Sequence, residues 1–136
     1  MVCIYCGHDT SVTNSRLNRK LNRVWRRRSC VECGNVFSTY ETADRAKAWR
    51  VSHDGKLAEF ERDRIFISLY KSLGHRPAAL REAGDLADTV VSLLSKRPEG
   101  DISAAELAQT AYSVLKRFDK AAATHYAAFH PGAGGK

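Results

Sequence analysis

The chain has 136 residues, 43% of them hydrophobic and 27% charged, a balance ordinary for a globular protein. That length allows one domain or two small ones, and no apolar run approaches membrane-spanning length. The formal net charge is +7 but uneven: residues 1–50 carry ten Lys/Arg against four Asp/Glu, and residues 51–136 carry twelve against eleven. A basic N-terminal third points to a polyanionic partner, most simply nucleic acid.

All four cysteines lie in that third, as Cys3-Ile-Tyr-Cys6 and Cys30-Val-Glu-Cys33, each pair followed by glycine, Gly7 and Gly34. A C-x-x-C turn brings two thiolates to one metal, and a second turn completes a tetrahedral all-cysteine site of the zinc-ribbon kind. Two redox pairs are the competing reading, but the βαβ pattern that a thioredoxin-like motif needs is absent. Loaded with zinc, four ionised thiolates add about −2, which leaves the first segment basic. Met1–Cys6 lacks the basic and apolar stretches of a secretory signal, so a reducing cytoplasm is expected.

The ribbon is predicted over residues 1–42. Its knuckles are flanked by β-formers, at Ser11-Val12-Thr13, Val24-Trp25 and Val36 to Tyr40, so no helix is expected within it. So small a unit cannot bury a sizeable core, and the metal must stand in for one. The segment between the knuckles, Gly7 to Ser29, holds seven basic residues: Arg16, Arg19, Lys20, Arg23, Arg26, Arg27 and Arg28. On a strand, Arg26 and Arg28 share one face and Trp25 and Arg27 the other. These cations form a candidate DNA-tracking surface, since guanidinium forks suit phosphates and guanine edges alike. Neutralising about five phosphates predicts a log–log salt slope of roughly −4 to −5. Trp25 is expected to cover the ribbon core, with stacking on a base as the alternative.

Residues 43–47 are polar and read as a linker. From Ala48, Trp49 to Ser52 and Leu57 to Phe60 flank His53-Asp54-Gly55-Lys56, and the Asp-Gly pair favours a tight hairpin turn. The period then becomes helical. Phe66, Leu69, Tyr70 and Leu73 predict one helix stopped by Gly74; Leu80, Ala83, Ala87, Val90 and Leu94 predict a second, ended near Pro98-Glu99-Gly100. Ser103 to Glu106 is a capping box with Ile102 and Leu107 as a hydrophobic staple, opening a third helix along Leu107, Ala111, Val114 and Phe118. An alanine-rich fourth helix is expected from Asp119 to Phe129, and residues 131–136 are expected to be a disordered tail. The fold class is therefore α+β: a small four-cysteine ribbon, then a mostly helical domain with a β-hairpin over residues 48–130.

This order of parts resembles the NrdR-type transcriptional repressors of ribonucleotide reductase genes, which join a zinc ribbon to an ATP-cone. The resemblance covers nearly the whole chain. It is carried by Cys3-x-x-Cys6-Gly7, Asn14-Ser15-Arg16, Arg26 to Cys30 and Phe37-Ser38-Thr39-Tyr40-Glu41, then by Val51 to Gly55, Phe60, Ile102 to Leu107 and Ala122 to Phe129. It implies double-stranded operator DNA as partner, one structural zinc ion, ATP or dATP as allosteric effector, and a cytoplasmic, nucleoid-associated homo-oligomer assembled through the cone. A nucleotide site is implied at Val51, Ser52, His53, Gly55, Lys56 and Arg64. The chain departs from the family pattern there. Ser52 and His53 stand where cones carry a Lys-Arg pair, Ala58 replaces a glutamate, and Ala123-Thr124-His125-Tyr126 replaces Tyr-x-Arg-Phe.

No catalytic constellation is found, and no Walker-type loop, so a nucleotide would act as effector and the chain is not read as an enzyme. His8 reads as a surface residue and His125 as a packed or interface histidine. Two other classes compete: an accessory zinc-ribbon protein binding RNA, polymerase or ribonucleotide reductase, and a rubredoxin-like iron module.

Overall fold

The computed structural model describes residues 1–97 and 100–134, in two compact units, Met1–Ala43 and Asp44–Lys136. The first unit is a three-stranded antiparallel sheet in the order β1 (Thr10–Asn18), β2 (Arg23–Cys30), β3 (Val36–Thr42), with no helix, as the β-formers require. The β1–β2 hairpin tip turns through Asn22 at φ 46°, and Leu21 N–H donates to Asn18 Oδ1 at 3.0 Å. A bulge between Val12 and Asn14 shifts the register of β1, whereas β2 runs without interruption. The buried cluster of this unit is Cys3, Cys30 and Phe37.

The second unit opens with one helical turn, α1 (Arg45–Ala48), inside the segment expected to be a linker. The predicted hairpin follows as β4 (Arg50–His53) and β5 (Lys56–Glu59). Both central turn residues take positive φ, Asp54 at 48° and Gly55 at 74°, the conformation that matches strand twist. A third strand, β6 (Asp101–Ser103), pairs parallel to β4 and was not legible, because three residues show no alternation. Ile102, read as a staple residue, is the buried centre of that strand at 1% exposure. Arg50 and Asp101, opposite each other in register, close the edge with a two-pronged ion pair at 3.0 and 3.1 Å.

Four helices complete the unit: α2 (Arg62–Ser72), α3 (Ala79–Leu94), α4 (Ala104–Phe118) and α5 (Lys120–Phe129). Each lies where the periodicity put it, but the buried stripes are offset. In α2 the inward residues are Ile65 and Leu69, joined by Leu73 at its end, while Phe66 and Tyr70 stack on each other at 6.1 Å on a partly exposed side. Two adjacent apolar residues in a 3.6-residue period can each be assigned to the stripe, and packing selects one. Leu80 is likewise exposed, and α3 buries Ala83, Ala87, Val90 and Leu94 as expected. On α4, Ala111 and Val114 are buried with Leu115, whereas Phe118 is exposed. Ser103 caps α4 through Glu106 N–H at 3.1 Å, and the Glu106 carboxylate pairs with Arg97 at 2.8 Å. Pro98 and Glu99, expected to end α3, lie outside the described residues. Beyond α5 the chain continues as a turn over residues 131–134 that buries Ala133 at 1% exposure, in place of the expected disorder; residues 135 and 136 lie outside the described residues.

Asp119 joins three elements. It ends α4, caps α5 by accepting from Ala122 N–H at 3.0 Å, and receives His75 Nε2 at 2.9 Å and Arg76 at 3.0 Å. Arg76 also grips Glu82 at 2.6 and 2.9 Å and lies 4.8 Å over the Phe118 ring. The Ala122 amide first, then His75 and Arg76, hold the Asp119 carboxyl well below the usual carboxylate range. Asp119→Ala is expected to lower the melting midpoint at neutral pH by roughly 4–8 °C, the scale of one lost cap in a domain of this size. A carboxyl held down in the folded state stabilises above its unfolded value of about 3.9 and loses that contribution as pH falls further. Melts taken over a pH series should therefore show the gap between wild type and variant narrowing below about pH 4.

Candidate metal centre and nucleic-acid interface

The knuckle sequences create the metal centre locally. After each C-x-x-C turn the chain reverses through a positive φ, 76° at Gly7 and 69° at Gly34, which glycine adopts without strain. Backbone amides then face the sulfurs: Tyr5 N–H donates to Cys3 Sγ at 3.4 Å and Cys33 N–H to Cys30 Sγ at 3.5 Å. The two loops are tied together by Val31 N–H donating to Asp9 O at 3.3 Å. All four Sγ atoms lie within 4.8 Å of one another, with Cys3–Cys33 at 3.7 Å, Cys6–Cys30 at 3.4 Å and Cys6–Cys33 at 3.5 Å. A tetrahedral zinc with bonds of about 2.3 Å needs sulfurs about 3.8 Å apart, so the four are positioned to bind a zinc ion. His8 is exposed and outside the sulfur cluster, as expected of a surface residue.

The thiols divide in their acidity. Cys33 is lowered to about 6, first by the Asn35 backbone amide and then by the Cys6 sulfur and the Asn35 side chain. Cys6 is favoured as thiolate by the His8 amide, but the neighbouring sulfurs, Cys30 first, overcome this and push it up to about 12. Four sulfurs this close cannot all ionise alone. A divalent cation supplies the missing charge.

The metal centre also fixes which way the arginines point. Cys30 is the last residue of β2 and faces the sulfur cluster, so by alternation Arg28, Arg26 and Val24 lie on the same side. Arg26 donates to Glu41 there at 2.9 Å, and Arg28 donates to Thr39 Oγ1 at 3.2 Å. The opposite side carries Arg23, Trp25 and Arg27. In register across the three strands stand Arg16, Trp25 and Tyr40, flanked by the row Asn14, Arg27, Ser38 and the row Asn18, Arg23, Thr42. Arg16, Leu17, Asn18, Arg19, Arg23, Trp25 and Tyr40 line a groove of about 680 Å³, with the Arg23 guanidinium 4.6 Å over the Tyr40 ring. Arg19 and Lys20 sit at the hairpin tip. The seven cations expected to form one surface do not: Arg16, Arg23 and Arg27 are on one face, Arg26 and Arg28 on the other, and Arg19 and Lys20 in the turn between β1 and β2. Trp25, expected in the core, is half-buried on the side away from Cys30 and outside the buried cluster of Cys3, Cys30 and Phe37. Sequence reasoning did not select Tyr40, Asn14 and Asn18 for this surface, because they join it through their register with β2, which the sequence alone does not give.

The implied nucleotide residues are dispersed differently. Val51 packs against the core of the second unit, His53 and Lys56 are exposed at the hairpin turn, and His53 lies 3.4 Å from Asp54. Arg64 instead lines a pocket of about 430 Å³ between α2 and α5 with Ser68, Lys71, Ser72, His125, Phe129 and His130, and no hairpin residue lines it. His130 Nε2 and Ser68 Oγ meet at 3.0 Å, and His125 Nδ1 and Ser72 Oγ at 3.4 Å. His125 also packs against Phe129, ring centres 4.9 Å apart. Arg64 itself pairs with Glu61 at 3.2 Å. No helix of the described residues is long and apolar enough to cross a membrane.

Residues 1–41 match the family model for the N-terminal domain of NrdR-like transcriptional repressors. The chain is similar to the transcriptional repressor NrdR of Laribacter hongkongensis, 32% identical over 96% of this chain and 86% of the relative. It is also similar to the NrdR of Nitrosomonas europaea, at 30% over 96% of this chain and 82% of the relative, and to that of Solibacter usitatus, at 28% over 96% and 86%.

Metal analysis of the purified chain should find one zinc ion and a colourless protein, where an iron–thiolate centre would be red. Cys30→Ser is expected to reduce the zinc content to a small fraction and to melt the β-structure of the ribbon. The helical circular dichroism of the second unit, which has its own core, should largely remain.

Proposed function

Because the chain belongs to the NrdR-like transcriptional repressors, we propose that it represses ribonucleotide reductase genes by holding operator DNA on its zinc ribbon. The observation that carries this reading is the sheet face turned away from the sulfurs. It presents Arg16, Arg23 and Arg27 with asparagines Asn14 and Asn18 in neighbouring register, donors for phosphates and base edges on one surface. The zinc, when bound, supplies rigidity and no chemistry of its own: with Cys30 fixed, the parity of β2 is fixed, and the backbone that carries the arginines is already ordered. Arg26 and Arg28 are engaged with Glu41 and Thr39, and act by holding β2 against β3.

The second unit is the regulatory part in this proposal, with ATP or dATP changing how copies of the chain associate, and the assembly presenting paired ribbons to paired operator boxes. Linkage requires the nucleotides to bind the assemblies unequally, since otherwise DNA affinity cannot shift. Ser52 and His53 supply no fixed cation at the hairpin, so phosphate binding relies on Arg64 and Lys71 at the α2–α5 pocket and is weak. The response to effector is correspondingly reduced.

Selection from random duplex DNA, run without nucleotide, with ATP and with dATP, should enrich one repeated motif; enrichment of none sinks the repressor reading. On the selected duplex, replacing Arg16, Arg23 and Arg27 together by alanine should lower affinity at least tenfold and flatten the salt slope by about 2–3. Arg26→Ala with Arg28→Ala should change the slope by less than about 1 while zinc stays bound. Replacing the two pocket cations, Arg64→Ala with Lys71→Ala, is expected to weaken ATP binding in calorimetry by roughly tenfold or more, as charge-assisted bonds of about 1.5–3 kcal/mol each are lost.

A further inference from the structure

The arginine face of the ribbon carries two aromatic rings that phosphate tracking along a duplex does not use. Trp25 and Tyr40 are direct cross-strand partners, so their side chains stand beside each other, about 4.5–5.5 Å apart at Cβ. Neither belongs to the buried cluster of the unit, and Tyr40 is 58% exposed. Arg23 already stacks over the Tyr40 ring at 4.6 Å, and Arg16 continues the same row on the other side of Trp25. The groove that they line, about 680 Å³, lies within the roughly 300–1,000 Å³ typical of small-molecule sites. Rings flanked by guanidinium groups on an open sheet are the elements of a stacking platform, in which bases lie on π-faces and cations hold the adjoining phosphates.

We propose that this face binds single-stranded nucleic acid, seating an unstacked base against Trp25 and Tyr40 while Arg16 and Arg23 hold the flanking phosphates. The inference rests on the proposed function's premise that this is the nucleic-acid face, and extends it to the state of the strand. In a duplex both faces of each base are covered by its neighbours, so the rings reach a base only after it is unstacked; a single strand offers its bases already free. Stacking is tolerant of sequence, because every base has a π-face, so the binding is general for unpaired strands.

The test uses the zinc-loaded full chain, titrated with oligo-dT, with oligo-rU and with random-sequence duplex DNA while tryptophan fluorescence is followed. Trp49 packs edge-on against Phe60 in the second unit, at 5.1 Å, and subtracting the Trp25→Phe trace removes its contribution and isolates the Trp25 signal. Single strands should quench Trp25, and Trp25→Ala or Tyr40→Ala should weaken single-strand binding roughly tenfold. In Trp25→Ala, duplex affinity and zinc content should stay within about twofold of wild type, and the salt slope should be unchanged, because stacking releases no counterions. Equal affinity for the two single strands assigns recognition to base and phosphate; preference for oligo-rU assigns a further contact to the 2′-hydroxyl, and preference for oligo-dT assigns DNA as the strand. Duplex binding without quenching by either single strand overturns this inference and leaves the duplex reading intact. Loss of binding to all three probes overturns both. Single-strand binding that survives Trp25→Ala and Tyr40→Ala also overturns it.

Discussion

Convergence of four sulfurs is the constraint from which the ribbon follows. Among 43 residues only Cys3, Cys30 and Phe37 are buried hydrophobics, too few to order three strands against the entropy of the chain. The remaining stabilisation has to come from a bound cation, which the crowded thiols need if all are to ionise. The metal centre then does more than hold the fold. Because Cys30 ends β2 pointing at the sulfurs, every second residue back along that strand is committed to the same side, and the rest to the other. The face that carries Arg23, Trp25 and Arg27 is thus defined by its opposition to the sulfurs.

That parity divides three consecutive arginines into two kinds. Arg26 and Arg28 meet Glu41 and Thr39 across the strand, where a carboxylate and a hydroxyl engage part of their donors. Arg27 is exposed on the far side, in register with Asn14 and Ser38. A run of like charge along a strand would otherwise repel itself. Splitting it across two faces, with Glu41 balancing one, relieves that repulsion.

Much of this is legible in the sequence, for physical reasons that differ from element to element. The metal ligands are legible because C-x-x-C geometry is local: two residues between ligands and a glycine after them are enough. Alternation along β2 is equally local, so the separation of Trp25 and Arg27 from Arg26 and Arg28 follows from their spacing alone. Which side faces the metal is a different matter, since it takes Cys30 as the reference; without that reference Trp25 reads as a core residue. In the second unit the capping box at Ser103 and the Asp54-Gly55 turn are legible, since caps and tight turns are set by a few adjacent residues. The strand β6 is not, because pairing of three residues with β4 is decided by contacts some fifty positions away. The offset of the α2 stripe has the same origin: Ile65 and Phe66 are both apolar, and only packing against the rest of the unit chooses Ile65.

The two units differ in how securely their chemistry is built. In the ribbon, ligand spacing, glycine turns, amide–sulfur contacts and charge all favour the same bound state. In the second unit the scaffold is equally consistent, with Asp119 and Arg76 knitting α3, α4 and α5 together, yet the cations are separated. Arg64 and Lys71 line the α2–α5 pocket, while Ser52 and His53 occupy the hairpin. A polyphosphate gains most when several cations meet it at once, because each added charge acts in a field already desolvated by the others. Cations held apart in this way do not reinforce one another. The hairpin's register is set by backbone pairing and the helical core by its own apolar residues, so neither depends on the side chains at 52 and 53. The ribbon has no such freedom: its ligands are its core, and a change that weakens the metal centre removes the face that depends on it.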